Sequence, residues 1–121
     1  MRLTAMARTL YAGIFITVLS AHNMTWAQTL PRQIEVKARR YTFEPGEITL
    51  RKGEPVLIVI KSMDVAHGLR FREFNAEVNV RAGGSAQMQF TPDRTGDFVG
   101  HCSVFCGSGH GSMILKLHVV N

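Results

Sequence analysis

Residues 101–120 read HCSVFCGSGHGSMILKLHVV, and two patterns meet within them. From Met113 onward every second residue is apolar, which predicts a β-strand that buries one face. Residues 101–112 show no such alternation and contain three glycines, which predicts a loop between two strands. A rigid β-scaffold commonly carries its functional residues on such loops, so this loop is the first candidate for a site.

The strand pattern recurs through residues 28–121. Short apolar runs, most of them alternating with polar residues, are separated by turn residues. The runs before the last strand lie at 33–38, 48–50, 56–60, 69–72, 78–81, 86–90 and 98–99. The run 56–60 is continuously apolar and predicts a strand buried on both faces. About seven to eight short strands and no amphipathic helix predict an all-β domain, an antiparallel sandwich or barrel.

Residues 1–27 differ from the rest of the chain. They carry basic but no acidic residues, continue with an apolar run over 10–21, and end in the small-residue pattern TWA at 25–27. This order predicts a secretory signal peptide over 1–27 and one exported, periplasmic domain over 28–121. The alternative is an uncleaved N-terminal anchor, although the apolar run is shorter than the ~20 residues that span a bilayer.

The charge balance bears on the class of partner. The chain has 14 Lys and Arg against 9 Asp and Glu, a net charge of +5. These basic residues are scattered rather than clustered, which excludes nucleic acid as the expected partner. A mildly basic surface is compatible with docking to an acidic redox protein, because charge steers the encounter of two proteins.

Four side chains with sulfur or imidazole donors lie in the loop or directly after it: Cys102, Cys106, His110 and Met113. Thiolate, thioether and imidazole are ligands for soft or borderline metals, copper above all. The common structural zinc sites use Cys and His and leave Met out. A donor from a distant strand end would tie the loop to the scaffold, and His67, shortly after the run 56–60, is the candidate. The pattern therefore predicts a copper site.

Three other interpretations of these residues stay open at this point. Export to an oxidising compartment favours a disulfide between Cys102 and Cys106. A mononuclear blue-copper site needs only one cysteine, two histidines and a methionine, and leaves Cys102 spare. A copper chaperone or storage protein would use the same soft donors. No carboxylate pair or nucleophile–base pair lies near the loop, so we expect an electron carrier and not an enzyme acting by itself.

The loop and the segment around His67 resemble those of a known family. CSVFCGSGHGSM, residues 102–113, resembles the dinuclear copper loop, called CuA, of cytochrome c oxidase subunit II and of the nitrous oxide reductase domain that receives electrons. DVAHGLRF, residues 64–71, resembles the upstream histidine segment of the same family. The resemblance covers most of residues 33–120. It implies a cupredoxin-like Greek-key fold with a two-copper centre that transfers single electrons.

The resemblance also implies a ligand set: Cys102, Cys106, His67, His110, Met113 and the main-chain carbonyl of Val104. In that family the two thiolates bridge both copper ions and each imidazole binds one ion. The thioether and the carbonyl are weak ligands, one on each ion.

The chain departs from the oxidase subunit in three respects. Position 104 is Val, where that subunit usually has Glu, whose side chain also helps bind magnesium at the contact with the catalytic subunit. The one Trp, Trp26, lies in the predicted signal peptide, and the subunit's two transmembrane helices have no counterpart in the sequence. We therefore expect a free-standing or lightly anchored electron carrier. Its partner would be a redox protein such as a c-type cytochrome or an oxidase, with membrane contact only through an uncleaved N-terminal segment.

Five further residues are expected to have structural roles. Asp64 is expected to bond turn amides beside the upstream histidine. Phe98 and Phe105 are expected to shield the centre from water, since an apolar shell tunes a redox site. Met63 and Met88 are expected to fill the core.

Overall fold

Alternating apolar and polar residues build two β-sheets that pack face to face, as the computed structural model of residues 29–121 shows. The nine strands are β1 (Arg32–Arg39), β2 (Thr42–Glu44), β3 (Glu47–Arg51), β4 (Val56–Ser62), β5 (His67–Phe71), β6 (Ala76–Val80), β7 (Ser85–Phe90), β8 (Gly96–His101) and β9 (Ile114–Val120). Single 3₁₀ turns lie at Arg72–Phe74 and His110–Ser112. The all-β prediction is confirmed. The signal peptide predicted over 1–27 lies outside the described residues.

The strand order is β2-β1-β4-β7 in one sheet and β3-β9-β8-β5-β6 in the other. The predicted antiparallel arrangement holds for most strand pairs, but β1 runs parallel to β4 and β3 runs parallel to β9. Parallel neighbours need a long crossover connection. Between β1 and β4 the chain crosses to the other sheet to form β3, and then returns.

Strand β4 shows how the sheets face solvent. Val56, Ile58 and Ile60 are buried, whereas Leu57 and Val59 between them are only half-buried. The expectation that this strand is buried on both faces is therefore wrong. Each sheet of a sandwich covers the core with one face and leaves the other open to solvent, even where that face is apolar.

The core between the sheets continues into the donor loop. Fully buried side chains include Ile58, Leu69, Phe71, Leu115 and Leu117, and burial of each such side chain contributes about 1.5–3 kcal/mol. Cys102, Cys106 and Met113 belong to the same buried cluster. The loop is thus anchored by the core itself, which holds its sulfur atoms in place.

The two methionines expected in the core differ. Met88 is buried, as predicted, whereas Met63 has 52% of its surface exposed, so its assignment to the core was wrong. Met63 follows the end of β4 and falls in the turn before β5, beyond the region where the sheets face each other.

Over residues 29–121, no helix combines the length and the apolar character that a membrane crossing requires.

Candidate metal centre

The turn between β4 and β5 fixes the orientation of His67. The carboxylate of Asp64 accepts hydrogen bonds from the main-chain N–H of Arg40 at 2.8 Å and of Val65 at 2.7 Å. Its Oδ1 also lies 2.6 Å from Nε2 of His67, which is fully buried. The predicted role of Asp64 in bonding turn amides is confirmed, and the contact with His67 adds to it. A neutral His67 that donates from Nε2 keeps the lone pair on Nδ1 free for a metal.

The same contacts determine the ionisation of Asp64. Partial burial disfavours the carboxylate, but hydrogen bonds from the Arg40 N–H, the His67 ring and the Val65 N–H outweigh it and lower the pKa of Asp64 to about 2. Asp64 is therefore an anion at neutral pH, acting only as an acceptor. Nε2 of His67 is therefore the donor in the hydrogen bond between the two side chains.

The loop after β8 is closed by a hydrogen bond between its two ends and contains a 3₁₀ turn. The N–H of Cys102 donates to the carbonyl of Met113 at 3.1 Å, which brings the two ends of the loop together. The N–H of His110 donates to the carbonyl of Gly107 at 3.1 Å, at the start of the 3₁₀ turn. Gly107 has a φ of 135°, a conformation that favours glycine.

These constraints bring all six predicted positions together. The Sγ atoms of Cys102 and Cys106 are 3.7 Å apart. Nδ1 of His67 lies 3.9 Å from the Cys102 sulfur, and Nδ1 of His110 lies 3.7 Å from the Cys106 sulfur. Each imidazole is therefore adjacent to a different sulfur atom.

The two weaker donors, like the imidazoles, each lie beside a different cysteine. Sδ of Met113 lies 3.8 Å from the Cys106 sulfur, and the carbonyl oxygen of Val104 lies 3.2 Å from the Cys102 sulfur. Met113 is completely buried, so its thioether points into the protein and not into solvent. Each cysteine thus has one imidazole and one weaker donor beside it.

The two sulfur atoms do not form a disulfide. Their separation of 3.7 Å exceeds the ~2.05 Å of a disulfide bond, and both thiols are free and buried. Burial, reinforced by the neighbouring Cys102, raises the pKa of Cys106 to about 11. A metal that binds there as a thiolate complex must therefore displace protons.

The donor set fits copper. Two sulfur atoms 3.7 Å apart can both lie about 2.3 Å from one ion, the usual length of a metal–thiolate bond. His67, Cys102 and Cys106 each offer one donor atom, and these atoms lie within 4.8 Å of one another. Sulfur and imidazole donors of this kind favour copper over hard cations.

Sequence reasoning missed two residues of the β1–β2 turn. Nε of Arg40 donates to the carbonyl of Cys106 at 2.8 Å, and the Tyr41 ring lies against Gly107 and Gly109. Neither residue belongs to a recognisable motif, so only the fold reveals that this turn packs on the loop.

Phe98 and Phe105 do not enclose the donor atoms as predicted. Phe105 has 77% of its surface exposed, with its ring centre 5.6 Å from that of His110, so it does not enclose the donors. Phe98 packs edge-on against Phe74, with the ring centres 4.8 Å apart.

Comparison with known proteins identifies the family to which this fold belongs. The family model of the cupredoxin-like domain matches residues 9–115. The chain belongs to the cupredoxin-like family. A cupredoxin-like domain is what the sequence motifs implied, and that expectation is confirmed.

The most similar curated relatives include cytochrome c oxidase subunits. A probable cytochrome c oxidase subunit 2 of Streptomyces avermitilis is 36% identical over 81 residues, which is 66% of this chain and 25% of the relative. Cytochrome c oxidase subunit 2 of Thermus thermophilus is 32% identical over 88 residues, 71% of this chain and 65% of the relative. The cupredoxin-like domain thus spans between a quarter and 65% of the length of these relatives.

Solved structures that resemble this chain also include oxidase chains. A chain of a heme-copper terminal oxidase dimer is 29% identical with a TM-score of 0.65, covering 74% of this chain and 65% of that one. The periplasmic domain of cytochrome oxidase subunit II from Bradyrhizobium japonicum superposes with a TM-score of 0.68 at 17% identity, covering 78% of this chain and 88% of that one, which shows the fold alone. The protein is thus a cupredoxin-like domain similar in sequence to part of oxidase subunit II.

Proposed function

We propose that this cupredoxin-like domain is an exported one-electron carrier with a dinuclear, CuA-type copper centre. One observation carries the proposal: the Cys102 sulfur is buried within the donor set, 3.7 Å from the Cys106 sulfur. The proposed ligands are His67, Cys102, Cys106, His110, Met113 and the carbonyl oxygen of Val104.

The position of Cys102 distinguishes one copper from two. A mononuclear blue-copper site uses a single thiolate, which would leave Cys102 as a spare thiol. Cys102 instead has His67 and the Val104 carbonyl beside it, just as Cys106 has His110 and Met113. Two thiolates, each with its own imidazole, match the needs of two ions. Two buried thiolates without such cations would be strongly unfavourable.

The chain's own residues would keep the centre rigid and largely dry. When bound, the copper pair supplies a one-electron couple whose charge change is shared between two ions. The core holds Cys102, Cys106 and Met113, while Asp64 orients His67. Donors fixed in this way move little when the charge changes, which favours rapid electron transfer over substrate chemistry.

Location and partner complete the proposal. A signal peptide over residues 1–27 would deliver the domain, residues 28–121, to the periplasm. The partner would be a redox protein such as a c-type cytochrome or an oxidase, which the similarity to oxidase subunit II supports. Val104 removes the side chain that would hold magnesium at an oxidase contact, so docking to a catalytic subunit would require other groups.

Copper analysis combined with electron paramagnetic resonance tests the centre. We expect two copper ions per chain and a seven-line hyperfine pattern, because one unpaired electron would be shared by two copper nuclei. Cys102→Ser should bind a single copper and give a four-line pattern. The adjacent Ser103→Ala, which keeps both thiols, should leave the two-copper signal unchanged.

Other results would contradict the proposal. One copper and a four-line pattern in the wild type would establish a mononuclear site. Rapid loss of Cu(I) to a chelator without reversible redox cycling would indicate a chaperone. A spectrum unaffected by Cys102→Ser would remove that cysteine from the ligand set.

A further inference from the structure

Arg40 contacts both segments that supply the donors. Its side-chain Nε donates to the carbonyl of Cys106 at 2.8 Å, in the middle of the loop. Its main-chain N–H donates to Oδ2 of Asp64 at 2.8 Å, and Oδ1 of the same carboxylate lies 2.6 Å from Nε2 of His67. One residue of the β1–β2 turn is thus bonded to a bridging cysteine and, through Asp64, to a histidine of the donor set.

The rest of the turn packs on the same loop. The Tyr41 ring lies against Gly107 and Gly109, and its hydroxyl is 3.5 Å from Oγ of Ser108. The preceding residue points elsewhere, since Arg39 pairs with Glu44 at 3.8 Å. Arg39 and Arg40 are therefore neighbours with the same charge, of which one contacts the loop and the other pairs within the β1–β2 hairpin.

We propose that Arg40 is a positioning residue for the copper centre, a role that rests on the proposed function. Its guanidinium holds the main chain of Cys106 and therefore the direction of the Cys106 sulfur. It also places a permanent positive charge beside the centre, because arginine does not lose its proton in proteins. A nearby positive charge disfavours the more positive, oxidised state, so this charge raises the reduction potential.

The hydrogen bond and the charge can be tested separately. Arg40→Leu removes both, Arg40→Lys keeps the charge but loses the Nε donor, and Arg39→Leu is the matched control. In copper-free protein, amide hydrogen exchange over residues 102–113 should be about tenfold faster in Arg40→Leu and in Arg40→Lys, since both variants lose the Nε donor to the Cys106 carbonyl. Arg39→Leu should exchange like the wild type. Arg40 is exposed, so none of these changes opens a cavity in the core.

The copper-loaded protein supplies the second readout. The reduction potential should fall in Arg40→Leu and return towards the wild-type value in Arg40→Lys, whereas Arg39→Leu should change it less. Unchanged loop exchange or an unchanged potential in Arg40→Leu would overturn the proposal. If the wild type fails to bind two copper ions, the proposed function fails, and exchange in the copper-free variants still decides whether Arg40 holds the loop.

Discussion

Two Asp–His pairs in this protein have the same contact distance and different surroundings. Asp64 lies 2.6 Å from Nε2 of His67, and Asp97 lies 2.6 Å from Nδ1 of His118. His67 is fully buried and presents its other nitrogen to the Cys102 sulfur, whereas 36% of the His118 side chain is exposed. The same interaction therefore orients a proposed metal ligand at one site and links surface strands at the other.

Asp64→Asn should weaken copper binding. The amide keeps one acceptor oxygen for three donors, so the His67 ring and the turn are held less firmly. Loss of a group that supports a metal ligand typically costs 10–100-fold in affinity, and we expect about tenfold here. Competition with a copper chelator measures the change. Asp97→Asn is the matched control and should bind copper like the wild type; equal affinities of the two variants would refute the role given to Asp64.

At the scale of elements, Gly100 determines how closely β8 approaches the core. A Cβ at this position would lie 2.6 Å from Cε1 of Phe71 and 2.9 Å from Cδ1 of Leu69. Both side chains are fully buried and cannot move into solvent. Strands β5 and β8 are joined at only one register pair, Arg70 with His101, so side-chain packing at Gly100 contributes to holding them together.

Gly100→Ala should therefore destabilise the domain by about 1–3 kcal/mol, the usual cost of overpacking a core. Urea unfolding of the copper-free protein measures it. Gly46→Ala serves as the control, because a Cβ there would meet only the carbonyl oxygen of Phe43 at an ordinary 3.7 Å. Equal stability of the two variants would show that the Phe71 ring adapts.

The strands also show what local sequence can and cannot predict. Short apolar runs, most of them alternating, located eight of the nine strands, and β2 was missed because three residues, Thr42–Glu44, are too few to show a period. The parallel pairing of β1 with β4 was missed because it depends on a crossover between sheets, which side-chain alternation does not encode.

The candidate donor residues could be selected from the sequence, whereas the contacts around them could not. Four of its side chains lie within residues 102–113, and the chemistry of sulfur and imidazole is visible in the sequence itself. Arg40 was not predicted, because its contact with Cys106 joins residues 66 positions apart and has no sequence motif. The exposure of Phe105 could not be predicted either, since an aromatic residue in a loop can face the core or the solvent.

At the scale of the whole molecule, His118 links three strands of one sheet. It lies on β9 between β3 and β8, with Nδ1 2.6 Å from Asp97 and Nε2 3.4 Å from Glu47. The hydrogen bond with Asp97 raises the pKa of His118 above its usual value, against a smaller opposing effect of burial, and Glu47 adds to the rise. Charged His118 therefore favours the folded state.

Stability should depend on pH through this residue. The folded-state pKa lies above the unfolded value of about 6.5, so the contribution is complete below that pH and is lost as pH rises through the folded pKa. The difference in free energy of unfolding between wild type and His118→Gln should be larger at about pH 6 than at about pH 9. Urea titrations at both values measure it. In an Asp97→Asn background the pH dependence of this difference should shrink, and a dependence that stays the same would contradict the assignment.

The place of β9 sets the order in which the centre can be completed. This strand pairs with β3 on one side and β8 on the other, and it directly follows Met113. Cys102 and Cys106 are therefore synthesised before the strand that closes their loop. The donors converge only once residues 114–120 have joined their sheet. We therefore expect copper uptake at the proposed centre to be a late step of maturation, one that acts on an already folded chain.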